Sequence, residues 1–140
     1  MDLNGKLVVL VGGNGFVGRH LAQVLLTRGA RLRVASRFPE HSLGVKPLGN
    51  LGQVQLARCD ITNADSLARV TAGADAVVNL VGIFGGDLDA VMGQGAGALA
   101  SAAQAAGARA FVQVSAIGSD PEGDTAYARA KAAGEAAVLA

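Results

Sequence analysis

Short apolar runs alternate along the chain with segments whose apolar residues recur at helical spacing. The first run, Leu7–Val11, is apolar throughout, which is typical of a strand buried on both faces of a parallel sheet. Four more strands are predicted at residues 31–35, 54–59, 76–81 and 110–114. Strands that alternate with helices predict βαβ units, and therefore an α/β fold built on a parallel sheet.

Two amphipathic helices are predicted in the first half of the chain. The apolar positions of the first helix are Phe16, Val17, Leu21, Val24 and Leu25. This helix is predicted to stop near Gly29, because glycine is the natural residue for a helix C-cap. The second helix is predicted to follow a capping box at residues 62–65 and to run through Val70. Residues 38–52 hold two prolines and three glycines, so a loop with at most a short helix is expected there.

The second half of the chain is rich in alanine. Residues 87–106 favour a helix, although Gly93, Gly95 and Gly97 together cost about 3 kcal/mol relative to alanine in a helix interior. Small residues allow close approach to a sheet or to another helix, which would offset that cost. A last helix is predicted at 127–140. No C-cap and no sixth strand follow it, so the chain is interpreted as cut short.

Composition and charge narrow the class of protein. Hydrophobic residues make up 51% of the 140 and charged residues 16%, which indicates one globular domain over residues 1–140. The net charge is +1 and no basic stripe is present, so nucleic-acid binding is not predicted. The lone Cys59 excludes an internal disulfide, and no residues have metal-ligand spacing. No signal peptide or membrane-spanning run is found, so a soluble, cytoplasmic protein is expected.

A glycine-rich turn joins the first strand to the first helix. Its sequence fits both Gly13-x-Gly15-x-x-Gly18 and Gly12-x-x-Gly15-x-x-Gly18. A helix N-terminus presents unpaired N–H groups and a positive dipole end, which suit a pyrophosphate. The turn between strand and helix therefore predicts a dinucleotide site, with a plain turn that binds nothing as the alternative. The predicted contacts are Gly12, Gly13, Asn14, Gly15, Phe16, Val17 and Gly18.

The residues after the second strand bear on which dinucleotide is bound. An acidic residue about 20 positions after the glycines would bind the ribose hydroxyls of NAD. This chain instead has Ser36 and Arg37, with no acid before Glu40. A guanidinium at Arg37 suits a 2′-phosphate, so NADP(H) is favoured over NAD(H), unless Arg37 is simply a solvated surface residue. Asp60, after the third strand, is predicted to accept a hydrogen bond from the adenine amino group or to cap the next helix.

Tyr127 and Lys131 lie four residues apart in the last predicted helix and therefore share one face. A nearby ammonium favours the phenolate and lowers a tyrosine pKa from its usual value near 10. A tyrosine of this kind can exchange a proton with a carbonyl or an alcohol while hydride moves to or from a nicotinamide. Lys131 can also hydrogen-bond the nicotinamide ribose, so Tyr127 and Lys131 are predicted cofactor contacts as well. The alternative is a solvated helix face on which Lys131 pairs with Glu135.

Several short motifs occur together in one order along the chain. They are Gly12/Gly15/Gly18, Asp60-Ile61, Asn79-Leu80-Val81-Gly82, Val114-Ser115 and Tyr127-x-x-x-Lys131. This combination resembles the short-chain dehydrogenase/reductase superfamily over essentially the whole chain. Residues 46–53 and 115–118 are similar to its atypical branch, which includes bacterial proteins of the NAD-dependent epimerase/dehydratase type. These proteins are themselves similar to the nucleotide-binding accessory subunit of respiratory complex I.

The resemblance implies a Rossmann-type doubly wound sheet in the strand order 3-2-1-4-5, with NADP(H) bound. It adds Ser36, Ile61, Val81 and Gly82 to the expected cofactor contacts, and Ser115 to the catalytic candidates. It also implies a homodimer formed through the alanine-rich helices after strands four and five. The implied activity is that of an oxidoreductase or epimerase that uses Tyr127 and Lys131 on an unidentified small molecule.

Two departures from the superfamily favour an alternative function. Active members of the extended branch usually carry Ser or Thr where this chain has Ile117. The segment that supplies the final strand and the substrate cap in the superfamily has no counterpart in residues 1–140 and is interpreted as missing. The alternative is a dinucleotide-binding scaffold or redox sensor that docks on a larger assembly, such as respiratory complex I, without turnover.

Overall fold

Five parallel strands form one sheet within the part of the chain that the computed structural model describes, residues 2–12, 15–40, 46–47, 49, 52–83 and 85–140. The strands are β1 Leu7–Val11, β2 Arg31–Ser36, β3 Val54–Arg58, β4 Ala76–Asn79 and β5 Ala110–Gln113. The helices are α1 Phe16–Thr27, α2 Ala64–Thr71, α3 Gly95–Ala105 and α4 Ala126–Leu139. A π-helical segment, Asp89–Gln94, leads directly into α3. Gly13, Asn14 and most of the predicted loop 38–52 lie outside the described residues.

The strand order is β3-β2-β1-β4-β5. Val11, at the end of β1, pairs with Ala35 of β2 on one side and with Asn79 of β4 on the other. The carboxyl ends of these strands therefore meet at one edge of the sheet, where the order of the chain reverses between β1 and β4. This arrangement confirms the predicted Rossmann-type doubly wound fold, in which ligands bind at such a reversal point.

Helices cover the sheet on both faces, which explains why β1 is apolar throughout. One face packs against α1 through a core that includes Val8, Leu10, Ala22, Leu26, Leu32 and Val34. The opposite face packs against α2 and α3 through a core that includes Val9, Val11, Leu67, Val70, Val77 and Leu99. Alternate β1 side chains thus enter opposite cores. No helix among the described residues is both long enough and apolar enough to span a bilayer.

The buried face of α1 differs from the one its apolar pattern predicted. The buried residues are Gly18, Ala22 and Leu26. Phe16, Val17 and Val24 are instead 79%, 55% and 53% exposed. Leu21 and Leu25 of the predicted stripe are partly buried and pack against the same core as Ala22 and Leu26. The physical reason for the difference is that the small residues Gly18 and Ala22 belong to the packed face, which is therefore rotated away from Phe16, Val17 and Val24. Its end near Gly29 is as predicted, with φ +82° at that glycine.

The predicted helix 87–106 is divided into the π-helical segment and α3. The expectation that its glycines allow close packing is confirmed. An added Cβ would lie 3.1 Å from Ile61 at Gly95 and 2.8 Å from Ala137 Cβ at Gly97. At Gly134 of α4 it would overlap the Met92 carbonyl of the π-helical segment. The two alanine-rich helical regions therefore touch almost backbone to backbone.

Element boundaries deviate from the prediction by one or two residues. Strands β3, β4 and β5 end earlier than predicted, and β2 continues one residue further, through Ser36. The capping box predicted at residues 62–65 has Thr62 as the N-cap residue of α2, and this prediction is wrong. Asn63 is the N-cap of α2, because its side chain accepts the Ser66 N–H at 3.0 Å.

Candidate dinucleotide-binding site

A cleft of about 480 Å³ opens at the carboxyl ends of β1 to β4. Of the predicted cofactor residues, it brings together Gly12, Gly15, Ser36, Arg37, Asp60, Ile61, Val81 and Gly82. Sequence reasoning missed other lining residues, among them Phe38, Thr62 and Val91. Val91 belongs to the π-helical segment, and no local signal in the sequence would have placed that segment at the cleft. Among the described residues, no group of His, Cys, Asp or Glu could hold a metal ion.

Gly12 forms the wall of the cleft between β1 and β4. Its φ is +78°, and its N–H donates to the Ala35 carbonyl at 2.8 Å. A Cβ on this residue would lie 3.1 Å from the backbone of Val81. Both the left-handed conformation and the close approach require glycine. Gly12 therefore keeps the main chain close to the carboxyl ends of β1 and β4, and this leaves room in the cleft for a ligand.

The start of α1 presents main-chain N–H groups beside this wall. The N-cap residue is Gly15, which has no side chain that could cap the helix, and the first turn holds no acidic residue. The first amide groups of an α-helix have no partner within the helix itself, so they suit an acceptor from a ligand. A Cβ at Gly15 would meet nothing within 4 Å. Gly18 is buried, whereas the side chains of Phe16 and Val17 are exposed outside the cleft lining, so only their main-chain N–H groups remain candidates.

Ser36 carries an unusual polar atom. It is 8% exposed at the end of β2, and its hydroxyl has no hydrogen-bond partner among the described residues. A buried hydroxyl without a partner is costly, and this one belongs to a cleft-lining residue. The orphaned hydroxyl and the Gly12 wall both fit a bound dinucleotide. Arg37 follows directly and is exposed, with its guanidinium 5.7 Å from the centre of the Phe38 ring.

Asp60 does not cap α2, since Asn63 has that role. Its carboxylate accepts hydrogen bonds from the Thr62 N–H at 2.9 Å and from the Thr62 hydroxyl at 2.6 Å. These bonds lower the pKa of Asp60, and the charge of Arg37 lowers it further. The carboxylate is therefore ionised and anchored at the cleft wall. Its contact with an adenine amino group stays a prediction.

Lys131 is buried rather than solvated. It is 3% exposed, and its Nζ donates to the carbonyls of Val114 at 2.9 Å and Val81 at 3.4 Å. Burial lowers the pKa of the ammonium, and the charge of Glu135 opposes that shift. Tyr127 approaches the same region, because its hydroxyl lies 3.9 Å from where a Cβ would stand on Gly82. The predicted pair thus faces the ends of β4 and β5.

Asn79 organises the carbonyls that hold Lys131. Its Oδ1 accepts the Val81 N–H at 3.1 Å, and its main-chain carbonyl accepts the Val114 N–H at 3.0 Å. Its Nδ2 donates to Gln113 Oε1 at 2.9 Å. The sequence did offer a signal for this buried residue, since it is a lone amide inside an apolar strand. The sequence prediction included Asn79 only as part of the motif Asn79-Leu80-Val81-Gly82.

Ser115 and Ile117 follow the end of β5. Ser119 donates its proton to the Ala116 carbonyl at 2.7 Å, so Ser115 must be the donor in its 3.1 Å bond with Ser119. The Ser115 hydroxyl can then accept a hydrogen bond from a substrate but cannot donate one. Ile117 is fully exposed, and its side chain has no polar group.

A family model described as NAD(P)H-binding matches residues 12–139. The chain belongs to this NAD(P)H-binding family. It is 34% identical over 144 residues to NADH dehydrogenase (ubiquinone) 1 alpha subcomplex subunit 9, mitochondrial, of Arabidopsis thaliana, with 99% of this chain and 36% of that protein covered. It is also 34% identical over 139 residues to ceramide reductase of Caulobacter vibrioides, with 96% of this chain and 42% of that protein covered.

The fold of this chain is also similar to that of a solved short-chain type dehydrogenase/reductase. A short-chain type dehydrogenase/reductase from Mycobacterium ulcerans superposes with a TM-score of 0.78 at 22% identity, covering 97% of this chain and 60% of that one. Identity at this level shows the fold alone. Together with the family match, it confirms the resemblance drawn from the motifs. The chain spans less than half the length of the two curated relatives.

Proposed function

We propose that residues 1–140 form the NADP(H)-binding domain of an oxidoreductase of the short-chain dehydrogenase/reductase type. The observation that carries the proposal is the buried Ser36 hydroxyl, which has no hydrogen-bond partner in the part of the chain that the structure describes and belongs to a cleft walled by Gly12 and flanked by Arg37. Such a hydroxyl needs an acceptor, and a phosphate oxygen of the ligand provides one. Arg37 adds a planar, permanently charged donor that suits a 2′-phosphate.

In this proposal, the first-turn amides of α1 and the glycine loop hold the pyrophosphate, and Ser36 and Arg37 hold the 2′-phosphate. The bound cofactor supplies or accepts hydride. Tyr127 Oη holds the proton that passes to a substrate carbonyl oxygen, or takes it from an alcohol. Lys131 fixes the position of that helix face through the Val81 and Val114 carbonyls. Ser115 contributes only an acceptor.

The cofactor preference is tested by calorimetric titration of NADPH against NADH. We expect NADPH to bind roughly 10- to 100-fold more tightly, because a charge-assisted hydrogen bond contributes about 1.5–3 kcal/mol. Arg37→Gln should remove most of this preference. The matched control is Arg31→Gln, which removes the same charge at the opposite end of β2. Equal wild-type affinities would contradict the role given to Arg37.

The catalytic part is tested on the full-length protein by NADPH oxidation with a panel of carbonyl substrates. Tyr127→Phe should lower turnover by roughly 10²- to 10⁴-fold, which is the usual contribution of general acid–base catalysis. The Kd for NADPH should stay within about two-fold of wild type, since the ring is retained. Turnover that survives in the Phe variant would rule out Tyr127 as the proton donor.

A second candidate function is a dinucleotide-binding scaffold without turnover, docked on a larger assembly. The exposed Ile117 favours it, because an apolar side chain replaces the hydroxyl that active relatives use to orient substrate. The relative named as a subunit of NADH dehydrogenase favours docking on such an assembly. NADPH binding with no turnover of any carbonyl in the full-length protein would select this function over the enzyme.

A further inference from the structure

Arg58 lies beside the cleft but does not line it. It is the exposed last residue of β3, which is an edge strand of the sheet. In the β2–β3 register it pairs with Ser36. Residues paired across two parallel strands present their side chains on the same face of the sheet. Arg58 therefore shares a face with the partnerless Ser36 hydroxyl.

The Arg58 guanidinium reaches over the end of β2. Its Nη1 donates to the Arg37 carbonyl at 2.8 Å, while the Cys59 N–H donates to the Ser36 carbonyl at 2.8 Å. These two hydrogen bonds connect the end of β2 to the end of β3. The bond from Cys59 holds the main chain at Ser36, and the bond from Arg58 holds it at Arg37, from which the Arg37 side chain projects.

We propose that Arg58 is a positioning residue for the 2′-phosphate of NADP(H), acting through Arg37. This inference rests on the cofactor preference proposed above. Arg58 holds the Arg37 backbone in place before the ligand arrives, and its own charge adds to the positive potential around Ser36. The acidic group on this side, Asp60, is turned toward Thr62 by two hydrogen bonds. A dianionic phosphate would thus meet the Arg37 guanidinium and the Ser36 hydroxyl, with the charge of Arg58 behind them.

The test compares Arg58→Gln with wild type by calorimetry, using NADPH and NADH. Adenosine 2′,5′-bisphosphate and AMP serve as probes that lack the nicotinamide. We expect Arg58→Gln to weaken NADPH and the bisphosphate by roughly ten-fold, as for loss of one charged hydrogen bond. NADH and AMP should change less than about two-fold. The matched control is Arg69→Gln, which removes the same charge from α2 in the hollow that Arg58 also lines.

Two outcomes would overturn the role of Arg58. One is an NADPH-to-NADH affinity ratio in Arg58→Gln within about two-fold of wild type. The other is an equal loss for all four ligands, since that would make Arg58 a general support of the loop. A wild-type ratio near one is different, because it defeats the proposed NADP(H) preference itself, and the inference falls with it. Thermal unfolding of each variant separates loss of binding from loss of fold.

Discussion

The burial of Lys131 lowers the stability of the fold but holds its ammonium group between the ends of β4 and β5. A buried ammonium loses hydration, and among the described residues two main-chain carbonyls replace it. The helical spacing of Tyr127 and Lys131 predicted their shared face. It did not predict burial, because burial depends on how α4 packs against the π-helical segment and α3, which no local pattern specifies.

The pH dependence of stability follows from the lowered pKa of Lys131. The unfolded chain binds this proton more tightly than the folded protein, so the cost of the charged amine is fully present below the folded pKa. It is relieved as pH rises through the lowered pKa toward the ordinary value of 10.5. We expect the free energy of unfolding of wild type to rise in this alkaline window relative to Lys131→Met. Urea unfolding of both proteins from neutral to alkaline pH measures it, and a constant difference between them would refute the prediction.

At the scale of elements, the contact between the π-helical segment, α3 and α4 depends on missing side chains. Gly97, which looked unfavourable for a helix, lies against Ala137 of α4, and Gly134 of α4 lies against the Met92 carbonyl. Sequence reasoning anticipated this use of small residues. On α1 it was right only in part, because an apolar pattern identifies a helix but weights large side chains, whereas the buried face also includes Gly18 and Ala22.

Gly134→Ala tests this contact, because helix propensity and packing are expected to change the free energy of unfolding in opposite directions. Helix propensity alone would stabilise the protein by about 1 kcal/mol. The added methyl group would instead overlap the Met92 carbonyl, so we expect a net loss of about 1–3 kcal/mol, as is usual for overpacking. Urea unfolding followed by circular dichroism gives the value. The matched control is Ala136→Gly on the exposed side of α4, which should lose about 1 kcal/mol through propensity alone; a stabilised Gly134→Ala protein would contradict the packing.

At the scale of the whole molecule, the alternation of strands and helices was enough to predict a parallel α/β sheet. The strand order came from the resemblance to a family, since alternation alone does not order the strands. The cleft was largely predictable, because most of its residues follow strand ends and parallel strands bring those ends together. Val91 and the Asn79 network were not, since they depend on the π-helical segment and on side-chain amides that meet across β4 and β5.

The unequal burial of the strands has a mechanical consequence. All five residues of β1 are buried, whereas β5 lies at an edge and its Val112 is 51% exposed. Local stability follows buried apolar contact. The cleft wall at Gly12 continues the fully buried strand, whereas Val114, whose carbonyl holds Lys131, follows a strand at an edge of the sheet. Thermal fluctuations should therefore be smaller at Gly12 than at Val114, and a ligand group bound at Gly12 would be held more rigidly than one near Lys131.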